Sequence, residues 1–371
     1  MSRKQHRNRE MKKVYIPLAA MLAMLSPLAG YAEEKNVGGE IALTPTLANV
    51  NGSEAKFNEY RDIDDGLYGA LRLWRETDDF FLRFQADDIL YDTQSYRLDG
   101  GNYGRYRFNV FHDEIPHNLT FGAKTFYSGA GTANLTYSGA NQLNVAPSTD
   151  TSTWNTFDYK VDREKQGAGL RLDLWKPLYM NVSFNREDRE GIKPAGLAPG
   201  TGGGSSALEL PEPVDYVTDN LKTEIGYALN PVFASLSYMN SNFENDNDNL
   251  FFRHTVSANS DAFTLPPDND YYKLAFKGGV KLPMSSSLNL NASRSVAETS
   301  VGLFSSYLDA NGVIPGTGAT TFTLSDPQFD GKVVTNSRDV ILTSSPLSFL
   351  DAKLFYKSYE KDNKSDEITH T

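Results

Sequence analysis

The chain of 371 residues contains no cysteine. That absence removes structural disulfides, thiolate metal sites and the CxxCH attachment of haem. Positive charge is also scarce: 36 Lys and Arg stand against 47 Asp and Glu, for a net charge of −11. A nucleic-acid partner is therefore excluded, because phosphates ask for a basic patch. No GxSxG, HExxH or P-loop motif occurs, and no helical period of three to four residues is sustained. Beyond the N-terminal region no apolar run approaches the roughly 20 residues of a spanning helix. The mean hydropathy of −0.46 looks soluble. A transmembrane β-barrel passes unseen through both tests, because its lipid-facing and lumen-facing residues alternate and average out.

The N-terminus supplies an address. Residues 1 to 13, "MSRKQHRNREMKK", carry six Lys or Arg against one Glu, and "VYIPLAAMLAMLSPLAG" follows as an apolar segment. "GYA" before "EE" supplies small residues at the cleavage-determining positions, so residues 1–32 are expected to be a secretory signal peptide cleaved after Ala32. Met11 begins a complete signal by itself, so either methionine can be the start. From Glu33 onward 30 basic residues face 46 acidic ones. The mature protein is expected to be exported by a bacterium.

Paired runs about a proline turn recur along the chain. "GLRLDLW-KP-LYMNVSFNRED" turns at Lys176-Pro177, "TEIGYAL-NP-VFASLSYMNS" at Asn230-Pro231, and "LAFKGGVK-LP-MSSSLNLNAS" at Leu282-Pro283. "DVILTS-SP-LSFLDAKLFYKS" is expected to turn at Ser345-Pro346, and a related hairpin without proline turns at "ETDD". Proline presets φ for a turn and ends the ladder on its own strand. The arms alternate with period two over eight to eleven residues, the signature of a barrel strand. Leu170, Leu172, Leu174, Val182 and Phe184 are expected to meet lipid, with Arg171, Asp173, Asn181 and Ser183 pointing inward. Phe80, Leu82, Phe84 and Ala86 oppose Arg83 and Gln85 in the same way. Leu288, Leu290 and Ala292 oppose Asn289, Asn291 and Ser293.

The connections are unequal. Tight turns alternate with long polar returns, roughly residues 186–219, 240–269 and 294–330, which contain "APGTGGGSS", "NSNFENDNDN" and "LDANGVIPGTGATT". The expected fold is all-β: an antiparallel transmembrane β-barrel over residues 33–371, with short periplasmic turns and long extracellular loops. The location that follows is the outer membrane of a Gram-negative bacterium, with outer-membrane lipid around the wall.

One stretch is both sheet-like and site-like: "YRLDGGNYGRYRFNVFHDEIPHN", residues 96–118. Tyr106, Phe108 and Val110 form one face, and Arg105, Arg107 and Asn109 the other. "DGGN" reads as a turn and "DEIPHN" as a strand end. His112 and His117 flank Asp113 and Glu114, but two histidines beside a proline bend do not supply three or four converging metal ligands. They read as polar groups at a strand rim. The pairs Asp87/Asp88 and Asp64/Asp65 read as loop and rim charges rather than a hydrolytic pair.

The run "YDTQSYRLDGGNYGRYRFNVFHDEIPHNLTFGAKTFYSG" closely resembles the MtrB/PioB family of outer-membrane barrels that accompany decahaem cytochromes. "GLYGALRLWRETDDFFLRFQADD", "ASRSVAE" and "LFYKSYEKDNKS" support it. The resemblance runs from about Val37 to the last residue and is most specific over Gly100 to Gly122. It implies a non-catalytic sheath that holds a periplasmic multihaem c-type cytochrome across the membrane for extracellular electron transfer. An extracellular multihaem cytochrome can dock at the surface end. Haem belongs to the partner, and this chain is expected to bind no cofactor or metal itself. The inward Arg83, Arg105, Arg107 and Arg171 are the expected partner contacts. Two departures stand out. Some relatives carry a CxxC near the mature N-terminus, where this chain has "EEKNVGGEIALTPTLANVNGSE". The family is also usually longer. About a dozen to sixteen strands fit the visible length, so the expected barrel is shortened or lacks its C-terminal strands. The rivals are a general diffusion porin with the same fold and a water-filled lumen, an outer-membrane lipase or protease, and a secreted β-rich adhesin.

Overall fold

The alternating arms form strands, and thirteen of the sixteen strands form one continuous sheet. The computed structural model describes residues 36–137, 149–197, 208–253, 260–303 and 324–369. The expected signal segment and the returns "APGTGGGSS" and "LDANGVIPGTGATT" lie outside the described residues. The first strands are β1 (Asn36–Thr46), β2 (Gly66–Glu76), β3 (Phe80–Ile89), β4 (Ser95–Asn102), β5 (Tyr106–Thr125) and the two-residue β6 (Asn134–Leu135). They are followed by β7 (Asn155–Trp175), β8 (Leu178–Leu197), β9 (Leu208–Leu229), β10 (Val232–Asn245), β11 (Asn249–Arg253) and β12 (Ser260–Thr264). The last are β13 (Asn269–Leu282), β14 (Ser286–Gly302), β15 (Gln328–Leu347) and β16 (Leu350–Asn363). Thirteen of them pair antiparallel in chain order, with β6, β11 and β12 set aside in a second, three-stranded sheet. Among the described residues no ladder joins β16 to β1. No helix among them is long and apolar enough to cross a membrane; α1 (Glu54–Phe57) has only four residues.

Direct cross-strand partners share a face, so the register assigns every side chain to one side of the sheet. Arg171 faces Asn181, Asn181 faces Glu224, Glu224 faces Ser237 and Ser237 faces Ala275. This is the polar face. Leu170 pairs with Val182 and Phe108, and Leu172 with Met180 and Tyr106, on the apolar face. The expected split of the β7–β8 hairpin is borne out in this register. The large exposed apolar side chains cluster here, including Val110, Leu170, Phe184, Ile225, Leu236, Leu274, Leu288 and Leu354. An apolar surface of that extent is stable only against a hydrocarbon solvent or a partner.

The apolar band slides along the strands. In β2 it is centred on Leu71 and Leu73, in β7 on Leu170 and Leu172, and in β15 on Val340 and Leu342. Following the ladders, Val340 lies about four apolar-face rows nearer the short-turn end than the row of Leu71. Barrel strands tilt by roughly 35–45° to the membrane normal, and a level membrane must then cut successive strands at sliding heights. The sequence carries that tilt.

Three expectations need correction. The strands are longer than eight to eleven residues: β5, β7, β8, β9 and β15 have 20 to 22. At about 3.3 Å per residue these reach far beyond a membrane, and much of the expected long returns is strand. "DGGN" is not a turn. Asp99 to Asn102 complete β4, and the chain reverses at Tyr103-Gly104-Arg105, with Gly104 at φ 72°. Gly100 and Gly101 serve close packing instead: a Cβ would meet the Phe108 ring at 2.7 Å or the Tyr106 carbonyl at 2.3 Å. The last hairpin turns at Ser348-Phe349, not at Ser345-Pro346, which forms an irregularity between Ser344 and Leu347 within β15.

Among the described residues a conventional core forms at the long-loop end. Tyr127, Leu135, Tyr137, Leu250, Phe252 and Leu265, from the β5–β7 and β10–β13 connections, pack on Ala195, Leu208 and Leu210 of the β8–β9 hairpin. Phe251 and Phe252 pair in parallel with Asn134 and Leu135, tying the two connections together. By register Ala195, Leu208 and Leu210 lie on the polar face. This cap therefore sits over the far end of that face.

Candidate functional site

The polar face at membrane depth is the candidate site. Arg83 pairs with Asp99, Asp99 with Asn109, and Asn109 with Gly169, so Arg83, Arg107 and Arg171 share one face. Arg105 stands apart, in the β4–β5 turn at the short-turn end, where its carbonyl accepts from the Asp173 amide. The structure thus brings three of the four expected contacts onto one surface.

Two of those three are already neutralised. Arg83 donates to Glu76 at 3.0 Å and lies 5.3 Å over the Phe81 ring; Tyr103 donates to the same carboxylate. Arg171 pairs with Asp173 at 2.9 Å and lies 4.6 Å over the Tyr179 ring, whose hydroxyl donates to Glu224 at 2.8 Å. Among the described residues neither Arg105 nor Arg107 joins an ion pair. Further from the membrane band, Lys165 faces Glu187 at 3.6 Å and Lys193 faces the buried Glu212 at 3.0 Å. On β2 to β9 this face is charged and partly compensated: among the described residues Arg97, Arg107, Arg163 and Lys222 join no ion pair.

The "DEIPHN" residues prove to be a mooring rather than a rim. β5 runs through them without ending. His112 is buried and bonds Glu114 at 2.8 Å, with Glu164 at 3.7 Å, while Gln94 donates to both Glu114 oxygens at 3.1 Å. His117 stacks on Tyr60 at 4.6 Å. Asn118 is buried and donates to the carbonyls of Asn58 at 2.6 Å and Arg61 at 3.2 Å. The motif thereby holds the β1–β2 loop and α1 against β5. In the same loop Asp62 accepts from the Asp92 amide and, at 3.2 Å, from Thr93. Burial pushes the Asp62 carboxyl above its usual range, and those bonds offset part of the rise.

The other carboxylate pairs fall as loop and rim charges. Asp65 accepts from the Ala48 amide at 2.7 Å, and Asp87 lies 3.9 Å from Arg72. Among the described residues no group of three or more His, Asp or Glu side chains is placed to hold a metal ion.

Sequence reasoning passed over the lysines. β13 reads "KLAFKGGVK" and β16 reads "KLFYKSYEK", each with three lysines at intervals of four. Their even spacing in a strand of period two puts all three on one side. By register that side is the polar face.

The family model for the MtrB/PioB outer membrane beta-barrel porins matches residues 49–371. A curated relative, the outer membrane protein MtrB of Shewanella baltica (strain OS185), is 30% identical over 194 residues. That match takes in 49% of this chain and 27% of the relative, so the chain spans about a quarter of the relative's length. Among solved structures, OmpT of Vibrio cholerae in its in-vitro folded trimer form overlaps 89% of this chain and 97% of its own, at 10% identity and TM-score 0.29. Its loop L8 deletion mutant overlaps 87% of this chain and 94% of its own, at 11% identity and TM-score 0.28. At these scores the fold assignment rests on the chain's own ladders and on the family. The chain belongs to the MtrB/PioB family of outer-membrane β-barrel proteins.

Proposed function

We propose that this protein is a non-catalytic sheath that holds a periplasmic multihaem c-type cytochrome across the outer membrane for extracellular electron transfer. A multihaem cytochrome outside the cell docks at the long-loop end. The observation that carries the reading is the polar face itself. At membrane depth twelve of the thirteen wall strands present charged or amide side chains there and β10 presents the hydroxyls of Ser235 and Ser237, backed by an apolar face that meets lipid. Such a surface must be covered by water or by a polar partner. Family membership favours the partner. The wall would then supply insulation and position, and haem carried by the partner would supply the redox chemistry. Arg83, Arg107 and Arg171 face the partner from β3, β5 and β7, with Arg105 at the short-turn mouth.

The test is co-purification. Outer membranes of the native host are solubilised in mild detergent, the barrel is isolated, and its companions are stained for covalent haem. The expected result is a haem protein that stays with the barrel through moderate salt. A folded barrel that arrives without haem protein and conducts small solutes in planar bilayers would leave the diffusion porin.

A further inference from the structure

We propose that the part of the polar face formed by β13 to β16 is a docking surface for an acidic protein face, held by two lysine ladders in register. The inference deepens the sheath reading and rests on it for where the partner sits. Lys273 pairs across to Ser295, Ser295 to Thr335, and Thr335 to Lys361. Lys277 leads in the same way through Asn291 and Asp339 to Lys357, and Lys281 through Ser287 and Thr343 to Lys353. Three rows therefore each carry a lysine at both ends, with small polar side chains and one carboxylate between them.

This arrangement differs from the rest of the face. Among the described residues none of the six lysines joins an ion pair, whereas on β2 to β9 paired cations (Arg83, Arg171, Lys165 and Lys193) stand among unpaired ones such as Arg97, Arg107 and Lys222. Asp339 and Asp351 are the only carboxylates that β13 to β16 present on this side. All the lysines except the half-buried Lys273 are exposed. In a chain of net charge −11, six uncompensated cations on one surface repel each other, and more strongly where lipid lowers the dielectric. An anionic partner removes that cost.

The spacing selects the kind of anion. Strands lie about 4.8 Å apart and rise about 3.3 Å per residue. The grid is thus about 14 Å wide and about 26 Å long. A small anion calls for converging donors. Dispersed cations set among hydroxyls and amides, with the exposed Phe355 and Tyr359 between the rows, match the scattered Asp and Glu of a folded protein's surface. Charge complementarity of this type sets orientation and retention.

The experiment uses the full chain in its own outer membrane. A water-soluble carbodiimide, which condenses a lysine amine with a carboxylate in direct contact, is applied before solubilisation, and joined peptides are mapped. In parallel, Lys277→Glu/Lys357→Glu is compared with Lys277→Arg/Lys357→Arg, with heat-modifiability confirming insertion of each. The expected result is amide links from Lys277, Lys353 or Lys357 to Asp or Glu of the retained haem protein. Retention should fall about tenfold on charge reversal, with near-normal retention in the arginine variant. A haem protein held equally by the reversed variant would overturn the lysine surface and leave the sheath standing. No retained haem protein, with a pore whose anion preference inverts on reversal, would overturn both and make the ladders a small-anion path. If reversal blocks insertion, Lys277→Gln/Lys357→Gln takes its place, and unchanged retention there overturns the proposal in the same way.

Discussion

The wall and the cap use the same apolar residues in opposite ways. In the cap Leu210 and Leu250 are fully buried, and Phe252 is 1% exposed. On the wall Ile225 is 53% and Leu354 71% exposed. The cap stands beyond the membrane, where water drives apolar groups together at roughly 25 cal/mol per Å². At membrane depth the hydrocarbon is already apolar, so side chains gain nothing by hiding and the backbone ladder becomes the constraint. Solvent decides which face counts as inside.

The largest effect is expected in the cap. Phe252 is 1% exposed and belongs to one cluster with Tyr127, Leu135, Leu208 and Leu210, so Phe252→Ala should cost about 3–5 kcal/mol locally through lost burial and a cavity. The wall should still insert. Protease added to intact cells would then cut the β10–β13 connection of the variant far faster than that of wild type. Loss of heat-modifiability together with the cap would show that wall and cap are one cooperative unit.

Next comes the wall. Leu172, paired with Tyr106 and Met180 on the apolar face, lies within the band. Leu172→Arg should destabilise the inserted barrel by about 2–4 kcal/mol, measured as a shift of the unfolding midpoint in detergent or lipid. Leu210→Arg, by contrast, should disrupt the cap and leave insertion intact. Equal effects of the two arginines on insertion would erase the distinction between the regions.

This contrast also marks what could be read from the chain. Alternation is visible only where one face meets lipid and the other does not, so β7 and β8 were legible over residues 168–174 and 178–184. Above the band both faces are wet, and "DREKQ" and "NREDREG" show no period, although they continue β7 and β8 to full length. Gly100 and Gly101 looked like a turn because a glycine needed for close approach reads the same as one needed for positive φ. The cap was hidden for another reason: Leu135 and Phe252 pair across more than a hundred residues, and no local pattern announces so distant a partner. The lysine spacing was legible in each strand, but the rows joining Lys277 to Lys357 required the register of two intervening strands.

A smaller effect is expected where the β1–β2 loop is moored. Asn118→Ala removes the donor that serves the Asn58 and Arg61 carbonyls and should cost about 1–3 kcal/mol, the penalty for stranding buried acceptors. Because the loop is fixed at one edge of the β5 extension, the loss should stay local. Hydrogen exchange should quicken over residues 54–61, with the exchange of β7 and β8 unchanged. Quickening along the whole sheet would mean that the mooring supports the wall itself.

The smallest effect is expected from the residue that looks most like a contact. Arg171 lies on the polar face at membrane depth, but Asp173 at 2.9 Å, the Asn181 amide oxygen at 3.4 Å and the Tyr179 ring at 4.6 Å already engage its guanidinium. A partner carboxylate would have to displace Asp173 to gain the same charge, and so would gain little. Arg171 and Asp173 also remain partly exposed, where an ion pair contributes about 0.2–1 kcal/mol. Arg171→Gln should therefore shift the unfolding midpoint slightly and change haem-protein retention less than twofold, against the tenfold expected for reversal at Lys277 and Lys357. If Arg171→Gln releases the partner as fully as that reversal does, compensation on the β2–β9 side does not weaken its grip. The polar face would then act as one surface, and the asymmetry between its arginine and lysine halves would carry no functional meaning.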